Sequence, residues 1–272
     1  MTAAQAVSLS RRSKKDGGRR LHLLDLIRGI TLLSMIAYHG SYDLVYHYGL
    51  PIPGYTGLPG YLWQQSICWT FLFLSGFCFS LGRPVRGHQF RRGLLLSACG
   101  LLITAVLAIV MPDSIVIMGI LSFFGLAVLL TALLFPLLRR IPPLVGLIGC
   151  AFLFFLTRDI PSGYLGFEGL RLAALPDSLY QGIPLMILGF PYPGFFSTDY
   201  FPLLPWIFLF WSGTFTWRAF FEGRPERQKA LLSHSFCPPL ESIGSHTLIL
   251  YMLHQPVLMA LFTLLAQIGI LA

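Results

Sequence analysis

Long apolar runs separated by short polar joints recur along this chain from end to end, and no other feature limits its possible folds as strongly. With 55% hydrophobic residues, 11% charged residues and a mean hydropathy of +0.71, the 272-residue chain holds more apolar surface than one soluble core can bury. Its solvent must therefore include lipid. Segments that cross hydrocarbon have to satisfy their own backbone hydrogen bonds, which makes them helices when the runs are this long. The expected fold is an all-α, polytopic transmembrane bundle with spans at 23–46, 62–82, 93–111, 115–138, 142–157, 203–220 and 243–267.

The formal charge of +8 invites a nucleic-acid reading, which the distribution of charge argues against. All of the 19 basic residues except Arg28, Arg158 and Arg171 fall in an N-terminal tail or in joints on one side of the membrane. This pattern places the N-terminus in the cytoplasm and makes residues 1–20 a disordered basic tail preceding one membrane domain, 21–272. Leu179–Phe190 is short for a crossing and would reverse the charge pattern, so it is read as re-entrant or interfacial, with seven spans expected and eight the alternative. Residues 158–205, rich in Pro, Gly and aromatics, should form an outer cap. Asp113, Asp159 and Glu168 read as ordinary solvated acids. The five cysteines have neither ligand spacing nor even pairing and read as packing residues without a metal or disulfide.

Ionisable groups within a span are costly, so each is a functional candidate. The first span carries Asp25, Arg28, His39 and Asp43. At 100° per residue all four fall within a stripe roughly 60° wide, which should face the bundle interior. Helical rise separates Arg28 from His39 by roughly 16 Å and Asp25 from Asp43 by roughly 27 Å. An extended ligand with an anionic end near Arg28 and a reactive end near His39 suits that spacing. His39 with Asp43 one turn later has the form of an oriented general base; a buried histidine beside a helix-end aspartate is the structural alternative. His254, within Tyr251-Met-Leu-His-Gln-Pro256, should line a cavity beside a proline kink or cap the carbonyl freed there. Asp199, Tyr200 and Trp206, where the cap meets the sixth span, are candidate acceptor contacts, with a helix-capping Asp the plainer reading of Asp199. His47 is a reserve candidate for the base.

Leu24-Asp-Leu-Ile-Arg-Gly-Ile30, His39, Phe71-Leu-Phe-Leu-Ser-Gly-Phe77, Gly119-Ile-Leu-Ser-Phe-Phe-Gly125, Phe196-Ser-Thr-Asp-Tyr-Phe-Pro-Leu-Leu-Pro-Trp206 and Ile243-Gly-Ser-His-Thr-Leu-Ile-Leu-Tyr-Met-Leu-His-Gln-Pro256 resemble the transmembrane acyltransferase superfamily. The nearest resemblance is to bacterial proteins carrying the heparan-α-glucosaminide N-acetyltransferase catalytic domain, over about Leu21 to Leu258. It implies a multi-pass enzyme of the bacterial inner membrane that moves an acetyl group from cytoplasmic acetyl-CoA to a sugar amine or hydroxyl on the outer face. Arg28 beside Asp25, helped by Arg91 or Arg92, would hold the CoA phosphates. In the lysosomal relatives the catalytic histidine is placed in the loop after the first lumen-facing helix, where this chain has His47; helix geometry favours His39, and the choice between them stays open here. A proton-coupled transporter or carrier of a glycan or lipid precursor is the rival reading of the polar stripe, and a catalytically inactive scaffold a third. Homodimerisation is also open.

Overall fold

The computed structural model describes residues 21–81 and 86–271; the predicted tail 1–20 and the joint residue Arg83 lie outside them. Among the described residues there are nine helices: α1 His22–Tyr46, α2 Leu58–Phe79, α3 Arg86–Val110, α4 Ile120–Leu138, α5 Pro143–Leu156, α6 Leu203–Phe220, α7 Pro225–Leu232, α8 Pro238–Ser245 and α9 Thr247–Gln267. Seven coincide with the predicted spans, and α7 and α8 occupy the joint before the last. Three are long and apolar enough to cross a bilayer: 24 residues of α3, the 19 of α4 and the 21 of α9. The 14-residue α5 is shorter, and α1 carries the polar stripe. The protein is an all-α helical membrane protein.

Several boundaries differ from the expected spans: α3 begins at Arg86 and α2 at Leu58, ahead of the expected residues 93 and 62, and two later starts fall further along the chain. The last span was expected from Ile243, but the backbone leaves helical geometry at His246, whose Nδ1–H donates to the Ser242 carbonyl at 2.8 Å and so satisfies the end of α8. The fourth was expected from Ile115, yet 115–119 runs as a connector and the helix begins at Ile120. That connector bonds to 197–201: Thr198 N–H to Ile115 O, Phe201 N–H to Met118 O, and Ser197 Oγ to the Ile117 backbone.

Leu179–Phe190 forms no span. It folds as 3₁₀ turns at Asp177–Tyr180 and Ile183–Ile187. The Pro/Gly/aromatic region also contains a hairpin, β1 Tyr164–Phe167 antiparallel to β2 Leu170–Ala174. Its two turn residues, Glu168 and Gly169, both have positive φ, as a primed two-residue turn requires. Asp159 accepts their backbone N–H groups at 3.1 and 2.9 Å, and Glu168 pairs with Arg158 at 2.9 Å. These two acids are therefore structural, contrary to the expectation that they are simply solvated.

The described chain forms two compact units, 21–67 with 223–271, and 68–222. Glycines let backbones meet in each. In the larger unit, Gly76 lies against the Phe210 carbonyl and Gly213 against the Phe73 carbonyl where α2 crosses α6, and Thr214 Oγ donates to Gly76 O at 2.9 Å. Close approach through small residues is how helices associate in lipid, where apolar burial gives no advantage over contact with acyl chains. Arg218 donates to the Leu138, Arg139 and Ile141 carbonyls at and just beyond the end of α4, adding side-chain donors to the carbonyls at the helix C-terminus. In the smaller unit, Gly29 of α1 meets the Leu240 carbonyl, and Gly244 of α8 meets the Asp25 carbonyl.

Candidate functional site

The smaller unit holds the polar stripe of α1 and the two helices that cover it. At its start, Arg28 Nη1–H donates to Asp25 Oδ1 at 2.9 Å, so the carboxylate one turn earlier holds the guanidinium. Both side chains are largely sheltered, 28% and 13% exposed. Beside them is Glu241, which the sequence reading passed over. It is 3% exposed and accepts from His22 Nδ1–H at 2.6 Å, Ser235 Oγ–H at 2.8 Å and the N–H groups of Phe236 and Cys237 at 2.9 and 3.2 Å. Desolvation pushes its carboxyl upward, but these donors outweigh that and hold it at about 2. The available signal was its position in the first turn after Pro238-Pro239, where a carboxylate satisfies free helix N–H groups.

Further along, α9 supplies the partners of α1. The His39 and His254 rings lie 5.0 Å apart, centroid to centroid. Asp43 is buried, 1% exposed, and both of its oxygens accept from Gln255 Nε2–H, at 2.8 and 2.9 Å. His47, at the end of α1, is 3.8 Å from Asp43 Oδ1. The expected pair of His39 oriented by Asp43 is thus not the pair that forms: the carboxylate is taken by Gln255, and His39 meets another imidazole.

His254 has the more defined chemistry. Its Nδ1 lies 2.5 Å from the Tyr251 carbonyl, which can only accept, so Nδ1 carries the proton. In the neutral ring Nε2 is then a lone-pair acceptor, and it is buried without a hydrogen-bond partner among the described residues. The carbonyl freed by Pro256 belongs to Met252, four residues back, so the predicted capping of that group gives way to a bond with its neighbour.

Residues 20–256 match the family described as heparan-alpha-glucosaminide N-acetyltransferase, catalytic. The chain belongs to this family. Neither a curated protein nor a solved structure matches it. Membership assigns a membrane acetyltransferase-like function and transferase activity to the chain. The matched segment contains Asp25, Arg28, His39, Asp43, His254 and Gln255.

The other predicted site residues lie in the larger unit. Arg91 and Arg92 occupy the first turns of α3, Arg91 exposed and Arg92 partly so. Asp199 Oδ2 accepts from the Ile120 N–H at 3.2 Å, so it caps α4 and not the helix that comes after it in sequence. Burial pushes its carboxyl up to about 6. Tyr200 O–H donates to the Met186 carbonyl. Trp206 is buried against Phe154 and Phe201, with the Arg158 guanidinium 4.6 Å from its ring. Each of the three thus has a structural partner of its own.

Proposed function

We propose that the protein transfers an acetyl group from acetyl-CoA, taken from the cytoplasmic side, to a sugar amine or hydroxyl at the extracytoplasmic face of a bacterial inner membrane. The observation that carries this reading is the buried Nε2 of His254, which meets no donor among the described residues, its tautomer fixed by the Tyr251 carbonyl and its ring against His39. A base must present a lone pair to the proton it removes, and a fixed proton on the other ring nitrogen guarantees that lone pair. His254 therefore takes the role of base that helix geometry alone gave to His39. His39 remains beside it as a second imidazole.

The residues present suit coenzyme A. Arg28, held by Asp25, offers a cation for phosphate, and eleven residues along the same helix, roughly 16 Å by helical rise, stands the imidazole pair. Bound acetyl-CoA supplies an activated thioester. The chain's own part is to anchor the anionic end through Arg28 and to take the acceptor's proton on His254 Nε2.

Acetyl-CoA binding by titration calorimetry and transfer of labelled acetyl test this on the purified, detergent-solubilised protein. Wild-type protein should bind saturably. Arg28→Ala should weaken binding about tenfold, the equivalent of one charge-assisted contact. His254→Ala should keep binding and lose transfer about 10²- to 10⁴-fold. A folded protein that does not bind acetyl-CoA refutes the reading and favours a carrier.

A further inference from the structure

Asp43 as a carboxylate can only accept hydrogen bonds, so Gln255 must turn its NH₂ toward it, as the 2.8 and 2.9 Å contacts show. The other end of that amide is thereby fixed as an acceptor. Gln255 Oε1 is buried and has no partner among the described residues. One residue earlier, the Tyr251 carbonyl does the same to His254, taking the Nδ1 proton and leaving Nε2 as a buried acceptor without a donor among the described residues. The His254 ring meets His39 and the Gln255 amide meets Asp43, one turn apart on α1, so both side chains reach the same stretch of that helix. A packed interior rarely leaves a buried acceptor unmet. Two of them on consecutive residues, each held in place by a group that can only accept, form a receptor for two donated protons.

We propose that Gln255 is a positioning residue for the acyl acceptor, with Asp43 setting its orientation: Oε1 receives one proton of the nucleophile while His254 Nε2 receives another. This rests on the acetyl-transfer reading above. A primary amine has two N–H protons and a lone pair, so it can satisfy both acceptors and still attack. A hydroxyl has one proton and leaves one acceptor unmet. In the step itself the nitrogen lone pair forms the C–N bond as the thioester C–S bond breaks. His254 Nε2 takes one N–H proton and returns it to the departing thiolate, while the second stays on the product amide nitrogen opposite Oε1. The pair therefore reads amine over hydroxyl.

The test measures binding of glucosamine and of glucose to the full chain in detergent without acetyl-CoA, and then the KM and kcat for glucosamine with it. Wild type should favour glucosamine by about tenfold or more, the effect of one buried hydrogen bond. Gln255→Met, similar in length but without the acceptor, should bring the ratio near unity and raise KM more than it lowers kcat. Asp43→Asn should move it part-way, because the new amide N–H can satisfy Oε1 directly. Should Gln255→Met fail to fold, Asp43→Asn decides alone. A wild type without amine preference, or a preference that survives the substitutions, overturns the inference. An amine preference that Gln255→Met erases in a protein that never transfers acetyl leaves the Gln255 assignment standing and removes the transferase reading.

Discussion

Gly244→Ala should cost this protein about 2 kcal/mol, and the reason lies in the crossing of α1 and α8. A Cβ at this position would stand 1.8 Å from the Asp25 carbonyl oxygen and 2.8 Å from the Gly29 amide nitrogen, whereas real Cβ contacts essentially never fall below 3.0 Å. The carbonyl would have to retreat by about 1.2 Å, and it belongs to a helix backbone that is seated in turn on Leu240 through Gly29. Overpacking of this kind costs about 1–3 kcal/mol, and a rigid backbone neighbour puts it at the upper end. The better helix propensity of alanine returns up to about 1 kcal/mol. For a chain of this size the net loss corresponds to a fall in melting temperature of about 4–8 °C. Gly149 of α5 has nothing within 4 Å of its added Cβ, so Gly149→Ala is the matched control and should melt at or slightly above wild type. Tryptophan fluorescence melts of the two variants in one detergent decide the matter. A Gly244→Ala protein as stable as Gly149→Ala would refute the close backbone contact that seats α1.

Glu241 titrates near 2 when folded against an ordinary 4.5, so its contribution is present above 4.5 and is lost as the pH falls from there through about 2. Melting temperature should drop across that window in wild type and stay flatter in Glu241→Gln. Asp199 runs the other way: its folded value of about 6 lies above the ordinary 3.8, so its contribution is complete below 3.8 and lost as the pH rises through 6. Asp199→Asn keeps a carbonyl for the Ile120 N–H and should melt higher than wild type at neutral pH, by on the order of 1–2 kcal/mol, with the gap closing below 3.8. His47→Ala should retain acetyl transfer within a few-fold, because the His47 ring stands 3.8 Å from an Asp43 already held by Gln255; loss of transfer comparable to that in His254→Ala would return the base to His47.

The helices were legible because hydropathy and proline placement report on the backbone directly, and the positions of α1, α6 and α9 emerge from them. The periodicity of α1 also identified its polar face, since Asp25, Arg28, His39 and Asp43 share one stripe whatever packs on it. Partners were not legible. His39 and Asp43 are one turn apart, which makes their pairing the natural inference, but an inter-helix neighbour competes for the same carboxylate, and nothing in the spacing of α1 shows that Gln255 lies opposite. Asp199 illustrates the same gap: its capping role was readable from residue type, while the helix it caps, which begins 79 residues earlier at Ile120, was not. Gly29 and Gly244 were invisible for another reason. A lone glycine in an apolar helix carries no pattern until the crossing helix is known.

In chemical terms, α1 acts as a fixed spacer between two differently built ends. Near Arg28 it is held by backbone contact at Gly29 and Gly244 and by the His22–Glu241 pair between α1 and α8, while the Asp25 carboxylate holds the guanidinium. Near Asp43 it is held by side chains, through the Gln255 clamp on α9 and the looser seating of Gly40, whose added Cβ would meet Leu258 and Phe262 only at ordinary contact distances of 3.6 Å. The break at His246 separates α8 from α9, so neither contact dictates the geometry of the other. On the acetyl-transfer reading proposed above, a cation held in this way suits a phosphate anchor. On the same reading, an end built of hydrogen-bonded side chains, two of them with acceptors unmet among the described residues, suits the place where the bound group changes from reactant to product.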